Sequence, residues 1–395
     1  MRLFLQDCGV VCALGRGKAA VAKALFAGRT DTLRPDDKLI NGRSILVGAV
    51  EGDFPAPPPS AAAFDCRNNR VMLAALAEIA PAVAASVARH GSDRVAVVMG
   101  SSTSGIAEGE AALAAHRRDG FWPAGYHYRQ QEPGTLAEFV ARVLGLGGPA
   151  YTVATACSSS AKVFASARRL IRAGLADAVV VGGADTLCRM TLNGFGALEA
   201  LSKSRCNPFS ANRDGITIGE GAAAFLLSAE PSPVELLGVG ETSDAHHATA
   251  PDPSGDGARA AMVQALNDAG LIPADIAYVN LHGTATPLND AMESRAMAAV
   301  FSEATPCSST KGLSGHMLGA TGGVEAAFLW LTLNPETNPG FLPPHLWDGC
   351  FDPALPRLNL VAAGTPLGDR DGLAMLSNSF GFGGSNVSLV LGRTE

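Results

Sequence analysis

Residues 151–175 read YTVATACSSSAKVFASARRLIRAGL, and the change of pattern inside them decides the fold. Tyr151, Thr152 and Val153 are aromatic or β-branched and read as a buried strand. Ala161, Phe164, Ala167, Leu170 and Ile171 recur at helical spacing. Cys157 therefore falls at a strand-to-helix turn. Ser158, Ser159 and Ser160 are placed to satisfy free N–H groups of a helix start, and the positive end of the helix dipole favours thiolate over thiol. An unpaired cysteine is more often a small packing residue, so this turn alone leaves a nucleophile and an inert thiol both open.

The same strand–turn–helix rhythm extends outward on both sides. Residues 94–99, RVAVVM, form a near-continuous apolar run of the kind covered on both faces. A polar turn at 100–105 and a helix over 108–115 follow, and a helix over 135–144 closes at Gly145. Further strands are expected at 44–50, 178–181 and 222–227. A helix over 71–88 is expected to kink or split at Pro81. Pro231 and Pro233 mark the expected boundary between two lobes, 1–230 and 231–395. Strands at 234–240, 276–281 and 307–310, helices at 257–268, 291–301 and 324–333, and a closing strand pair at 374–378 and 387–391 complete the second lobe. Alternation of this kind implies an α/β layered fold around a largely buried sheet.

The chain has 395 residues, 47% hydrophobic and 17% charged, enough to bury a large core. Its eight cysteines contain no CxxC pair or zinc-like spacing, which suits a reducing, cytoplasmic setting. Gln6 and Asp7 interrupt the apolar start before a secretory core can form, and no run is expected to span a membrane. The net charge of −7 argues against broad nucleic-acid binding. His246 and His247 lack a suitably spaced third ligand, so no metal is expected.

Three more turns concentrate polar groups beyond apolar strands. They are NLHGTATPLND around His282, STKGLSGH leading to His316, and the Gly-rich hairpin NSFGFGGSN from Asn378. Loops at the carboxyl ends of strands are where α/β folds place their sites. Together with TACSSS around Cys157 and the longer run KGLSGHMLGATGGVEA from Lys311, these motifs resemble the β-ketoacyl-acyl-carrier-protein synthases of the thiolase superfamily, in the elongating class with a Cys-His-His set. The resemblance spans both halves, apart from Gln6-Asp7-Cys8-Gly9, where the family has a Gly-rich first turn. It implies a thiolase-like fold of two similar lobes in α-β-α-β-α layers.

The resemblance further implies that Cys157 carries the acyl group, and that His282 and His316 donate hydrogen bonds to the enolate formed by decarboxylation of a malonyl thioester. Lys311 is implied as a support held by Glu325, with Asp290 a second supporting carboxylate. The N–H groups of Cys157 and Phe380 are expected to form the oxyanion hole, with Phe380 also the gating aromatic. The implied partners are acyl- and malonyl-loaded acyl carrier protein, met by the cation clusters Arg67/Arg70, Arg117/Arg118 and Lys203/Arg205. Assembly is expected as a homodimer or as a heterodimer with a chain-length partner, without a cofactor. Residues 107–116 and 195–201 are candidates for lining an acyl tunnel. Two other readings are a non-catalytic chain-length subunit, which would lack the nucleophile, and a degradative thiolase, which would want a second catalytic Cys near the C-terminus. Cys350, the last cysteine, lies outside the hairpin.

Overall fold

The computed structural model describes residues 1–368 and 372–394. The first half contains β1 (Phe4–Cys12), β2 (Gly15–Arg16), α1 (Lys18–Phe26), β3 (Arg34–Asp36), β4 (Ile45–Val47), α2 (Arg67–His90), β5 (Val95–Gly100), α3 (Ile106–Asp119), α4 (Thr135–Leu144), β6 (Ala150–Val153), α5 (Ser159–Arg172), β7 (Ala178–Asp185), α6 (Arg189–Ala197) and β8 (Gly221–Ser228). The second contains β9 (Val234–Ser243), α7 (Asp256–Ala269), β10 (Ile276–Asn280), α8 (Pro287–Val300), β11 (Pro306–Ser308), α9 (Lys311–Ser314), α10 (Thr321–Leu333), β12 (Asn359–Leu360), β13 (Ala374–Gly381) and β14 (Ser385–Arg393).

Strand order exposes a repeat. The main sheet runs β12-β11-β10-β13-β14-β9-β1-β8-β7-β5-β6. Taken from the outside in, β6-β5-β7-β8-β1 and β11-β10-β13-β14-β9 have the same order when ranked along the chain. Pairings match as well: β5 is parallel to β6 and β7, β10 is parallel to β11 and β13, and the remaining pairs within these two sets of five are antiparallel. The two halves join where Phe4 pairs with Glu235.

Helices cover both faces, which explains the uninterrupted apolar runs of β5, β7 and β8. Helices α2 and α4 pack outside the first half, and α7 and α8 outside the second. Between the halves lie α5 and α10, giving five alternating layers. All 13 residues of α10 are buried. Its start needs glycine, because a Cβ on Gly322 would stand 2.7 Å from the Cβ of Ala161 and 2.8 Å from Ser379 Oγ.

Several expectations change. Strand β6 is an edge strand hydrogen-bonded only to β5, so Ala150 and Tyr151 are exposed rather than buried. Helix α2 runs unbroken through Pro81: Pro81 and Ala77, whose carbonyl loses its helical partner, both face solvent, where water serves instead. The same helix is long and apolar enough to cross a bilayer by length and composition, but it packs along β1, β7 and β8 as a core helix. The 44–50 segment forms only the short β4, paired with β3 outside the main sheet.

Candidate active site

Between β6 and α5 the chain makes a tight elbow. Ala156 is left-handed at φ +51°, an uncommon conformation for a residue with a Cβ, and it delivers Cys157 to the head of α5. The serines do not cap the helix as expected. Ser158 Oγ donates to the Thr155 carbonyl (2.8 Å), Ser159 Oγ donates to the Ala156 carbonyl (2.6 Å), and Ser160 Oγ accepts from the Gly323 N–H (2.7 Å). They tie the elbow to itself and to α10.

His316 arrives from the equivalent place in the other half, between β11 and α10. Its N–H donates to the Thr217 carbonyl (2.7 Å) and its carbonyl accepts from the Gly219 N–H (2.9 Å), fixing the turn. Nε2 lies 3.1 Å from Cys157 Sγ, and Nδ1 lies 3.0 Å from Thr321 Oγ1. His282 follows β10, with its ring edge-on to His316 at 5.4 Å between centroids. One donor atom from each of Cys157, His282 and His316 lies within 4.8 Å of the others. By type these three could hold a soft metal ion, but the positive charge of Lys311 acts against a cation there.

Carboxylates buried below this layer hold the loops. Glu293 accepts from the N–H groups of His282 (2.8 Å) and Gly283 (2.7 Å). Asp290 accepts from the N–H groups of Phe209 (2.7 Å) and Ala285 (3.1 Å). Lys311 Nζ meets Glu325 Oε1 at 2.7 Å, with both side chains buried. Burial pushes Glu293 and Glu325 up to about 7 and Asp290 up to about 6, opposed by these donors, by Lys311 at the two glutamates and by Arg213 at Asp290.

Burial, and then the charge of Lys311, hold both imidazoles well below their ordinary value, so both are neutral at pH 7. Burial also pushes the Cys157 thiol up to about 11, opposed by Lys311 and by the backbone N–H of Phe382. In the resting site desolvation therefore outweighs the thiolate-favouring helix end expected from sequence.

The N–H expected beside this sulfur from the sequence is that of Phe380. Phe380 still belongs to β13, paired with Asn386, and its buried ring packs 6.0 Å from that of His282. Phe382 is the first residue beyond the strand, and its backbone N–H favours the Cys157 thiolate. Its ring, not that of Phe380, faces Phe195 at 5.6 Å along the cleft wall. The cleft, about 280 Å³, has apolar walls from Phe195, Leu198, Ile216, Leu288 and Phe382. Residues 107–116 do not line it.

The cation clusters fare unevenly. Arg67 is bound to buried Glu220 (2.5 Å) and Arg70 to Asp65 (2.6 Å), while Arg205 donates to the carbonyls of Gly312 and Thr30. Arg118 pairs with Asp119 (2.7 Å) at the surface. Arg117 and Lys203 are exposed, and the Lys203 N–H donates to Asp214, a residue of the cleft wall. His247 Nδ1 accepts from the Thr249 N–H (3.1 Å), shaping a loop at the cleft.

Family models for the N-terminal and C-terminal domains of beta-ketoacyl synthase match residues 47–231 and 234–345. The chain is 37% identical over 269 residues to 3-oxoacyl-[acyl-carrier-protein] synthase 2 of Staphylococcus aureus, a stretch covering 64% of this chain and 63% of that relative. It is also 37% identical over 271 residues to a mitochondrial 3-oxoacyl-[acyl-carrier-protein] synthase of Arabidopsis thaliana, covering 62% and 57%. The matched region thus spans less than two thirds of those curated relatives. Among solved structures, a ketosynthase from Xenorhabdus doucetiae in complex with its chain length factor superposes at a TM-score of 0.94 with 45% identity, covering 100% of this chain and 98% of that one. A beta-ketoacyl synthase from Burkholderia phymatum superposes at 0.87 with 29% identity and full coverage of both chains.

Proposed function

The chain belongs to the beta-ketoacyl synthase family, and from that premise we propose that it is an acyltransferase joining an acyl thioester to malonyl-acyl-carrier protein by decarboxylative Claisen condensation. The observation that carries this reading is the convergence of Cys157 Sγ and two neutral imidazoles in one buried cleft. Cys157 passes its proton to His316 Nε2 as its sulfur attacks the carrier thioester, and the proton then leaves with the carrier thiol. Negative charge on the tetrahedral oxygen falls to the N–H groups of Cys157 and Phe382.

A malonyl thioester then loses CO2. The resulting enolate oxygen is held by N–H groups of His282 and His316, and its carbon attacks the acyl-Cys157 carbonyl. Collapse expels the Cys157 thiolate and yields a 3-oxoacyl thioester on the carrier. His316 must accept a proton in the first half and donate a hydrogen bond in the second. A hydroxyl partner suits this, since Thr321 Oγ1 can accept from Nδ1–H or donate to bare Nδ1.

We read residues 1–230 and 231–395 as the two repeats, the first carrying the nucleophile and the second both histidines, on the support of their matching strand orders. The proposed assembly is a heterodimer with a chain-length-setting subunit, supported by the Xenorhabdus pair and by the exposed β6 edge. Retention of Cys157 assigns this chain to the catalytic side. The free thiols suit a cytoplasmic setting. Intact-mass measurement tests the whole reading: acyl-loaded carrier protein should add one acyl mass at Cys157, and malonyl-loaded carrier should remove it with release of CO2. Condensation that survives Cys157→Ala would overturn it.

A further inference from the structure

Outside the reacting groups, one buried carboxylate gathers an unusual number of donors. Asp185, at the end of β7, accepts from the N–H groups of Ser102 (2.8 Å), Thr103 (2.7 Å) and Ala320 (3.0 Å), and from the hydroxyls of Ser101 and Thr103 (both 2.8 Å). These donors belong to two separate regions. Ser101, Ser102 and Thr103 form the turn after β5, whereas Ala320 lies just before α10, four residues beyond His316.

Ser102 carries the connection onward. Its hydroxyl donates to the carbonyl of Ala156 (3.1 Å), the left-handed residue immediately before Cys157. It also packs against the other turn, because a Cβ on Gly319 would stand 2.5 Å from Ser102 Oγ and 2.7 Å from Asp185 Oδ2. Leu318, beside that glycine, is itself left-handed at φ +50°. Two strained turns thus flank the Cys157–His316 contact: the one after His316 is bound to Asp185 directly through the Ala320 N–H, and the one before Cys157 is bound to it through Ser102.

We propose that Asp185 and Ser102 form a positioning clamp for the nucleophile. Asp185 fixes the Ser102 backbone and the turn after His316, and the Ser102 hydroxyl holds the Ala156 carbonyl, so that Cys157 Sγ and His316 Nε2 are kept within hydrogen-bond reach. Strain at Ala156 is what makes the clamp necessary. A left-handed alanine is disfavoured in isolation and persists only where its surroundings over-determine it. Neither Asp185 nor Ser102 lines the cleft, so both act through the elbow rather than on substrate. The clamp rests on the reading of Cys157 as the acyl-carrying nucleophile.

The test is the pH dependence of Cys157 alkylation by iodoacetamide, followed by intact mass, with thermal unfolding measured in parallel. Ser102→Ala should slow alkylation at fixed pH by roughly tenfold to a hundredfold, as small displacements of reacting groups do, and move the rising limb of the profile upward. Adding Ala156→Gly should return the rate to near that of the unaltered protein, because glycine adopts the elbow conformation without strain. A purely structural loss would not be repaired in this way. Ser102→Ala with an unaltered profile, or a slowed profile that Ala156→Gly does not repair, would overturn the clamp. If Ser102→Ala is too unstable to assay, the double variant decides: an unaltered profile supports the clamp and a displaced one rejects it. Alkylation needs no carrier substrate, so failure of condensation would count against the catalytic reading while this comparison still judged the clamp.

Discussion

The ring of His316 bridges a thiol and a hydroxyl, with Nε2 3.1 Å from Cys157 Sγ and Nδ1 3.0 Å from Thr321 Oγ1. His316→Ala should slow acylation of Cys157 by about 10²–10⁴-fold, the usual worth of a positioned base. Thr321→Val keeps the ring but removes its tautomer partner, and should cost about tenfold. Single-turnover acylation measures both, and an unchanged rate in His316→Ala would remove it from the first half-reaction.

His282 makes no hydrogen bond to Cys157, and in the proposed mechanism its N–H serves the second substrate. His282→Ala should therefore leave acylation nearly intact while decarboxylation of malonyl carrier falls by about 10²–10³-fold. Because burial and Lys311 hold both imidazoles well below 6.5, the neutral donors persist as pH falls from 8 to 6, and the decarboxylation rate should show no imidazole protonation step in that window. CO2 release followed across this range checks the point.

A thiol pushed up to about 11 is largely protonated at pH 8, so its thiolate fraction grows about tenfold with each added pH unit. Alkylation of Cys157 should go on accelerating from pH 7 to beyond pH 9, where an ordinary cysteine is already levelling off. A plateau below pH 8 would show that the helix end and Lys311 outweigh burial.

The Lys311–Glu325 pair is closed off from water. Lys311→Ala should destabilise the fold by about 3–5 kcal/mol, because Glu325 is left buried without its partner. Lys311→Met with Glu325→Leu, which removes both charges, should recover much of that loss. Denaturant unfolding of the three proteins gives the comparison.

Carrier docking separates Lys203 from Arg67. Lys203→Glu should raise KM for carrier-bound acyl groups several-fold and spare a small acyl thioester, as expected where charge steers encounter. Arg67→Glu should instead lower the unfolding midpoint, since Glu220 loses its cation. If Lys203→Glu leaves carrier kinetics unchanged, the docking surface lies elsewhere.

Periodicity placed α4, β5, β8 and the Cys157 turn within a residue or two, because each is a complete pattern with its own stop signal. The exposure of β6 was not legible: aromatic and β-branched residues suit a strand whether it is central or at an edge. In the hairpin, Phe380 and Phe382 are each followed by glycine, and the sequence does not show that β13 ends between them. Glu293 was missed because its role is to hold the backbone of His282 from eleven residues away. The serines were misread for the reverse reason, since their partners lie in the elbow and in a helix more than 150 residues distant.

Burial of the whole of α10 between the halves also has a dynamic consequence. No partial opening can release the His316 turn while leaving both halves of the sheet closed over α10, so its amides should exchange with solvent only when the entire molecule unfolds. The geometry around Cys157 is thereby guarded by the global stability of the protein rather than by the local stability of a loop.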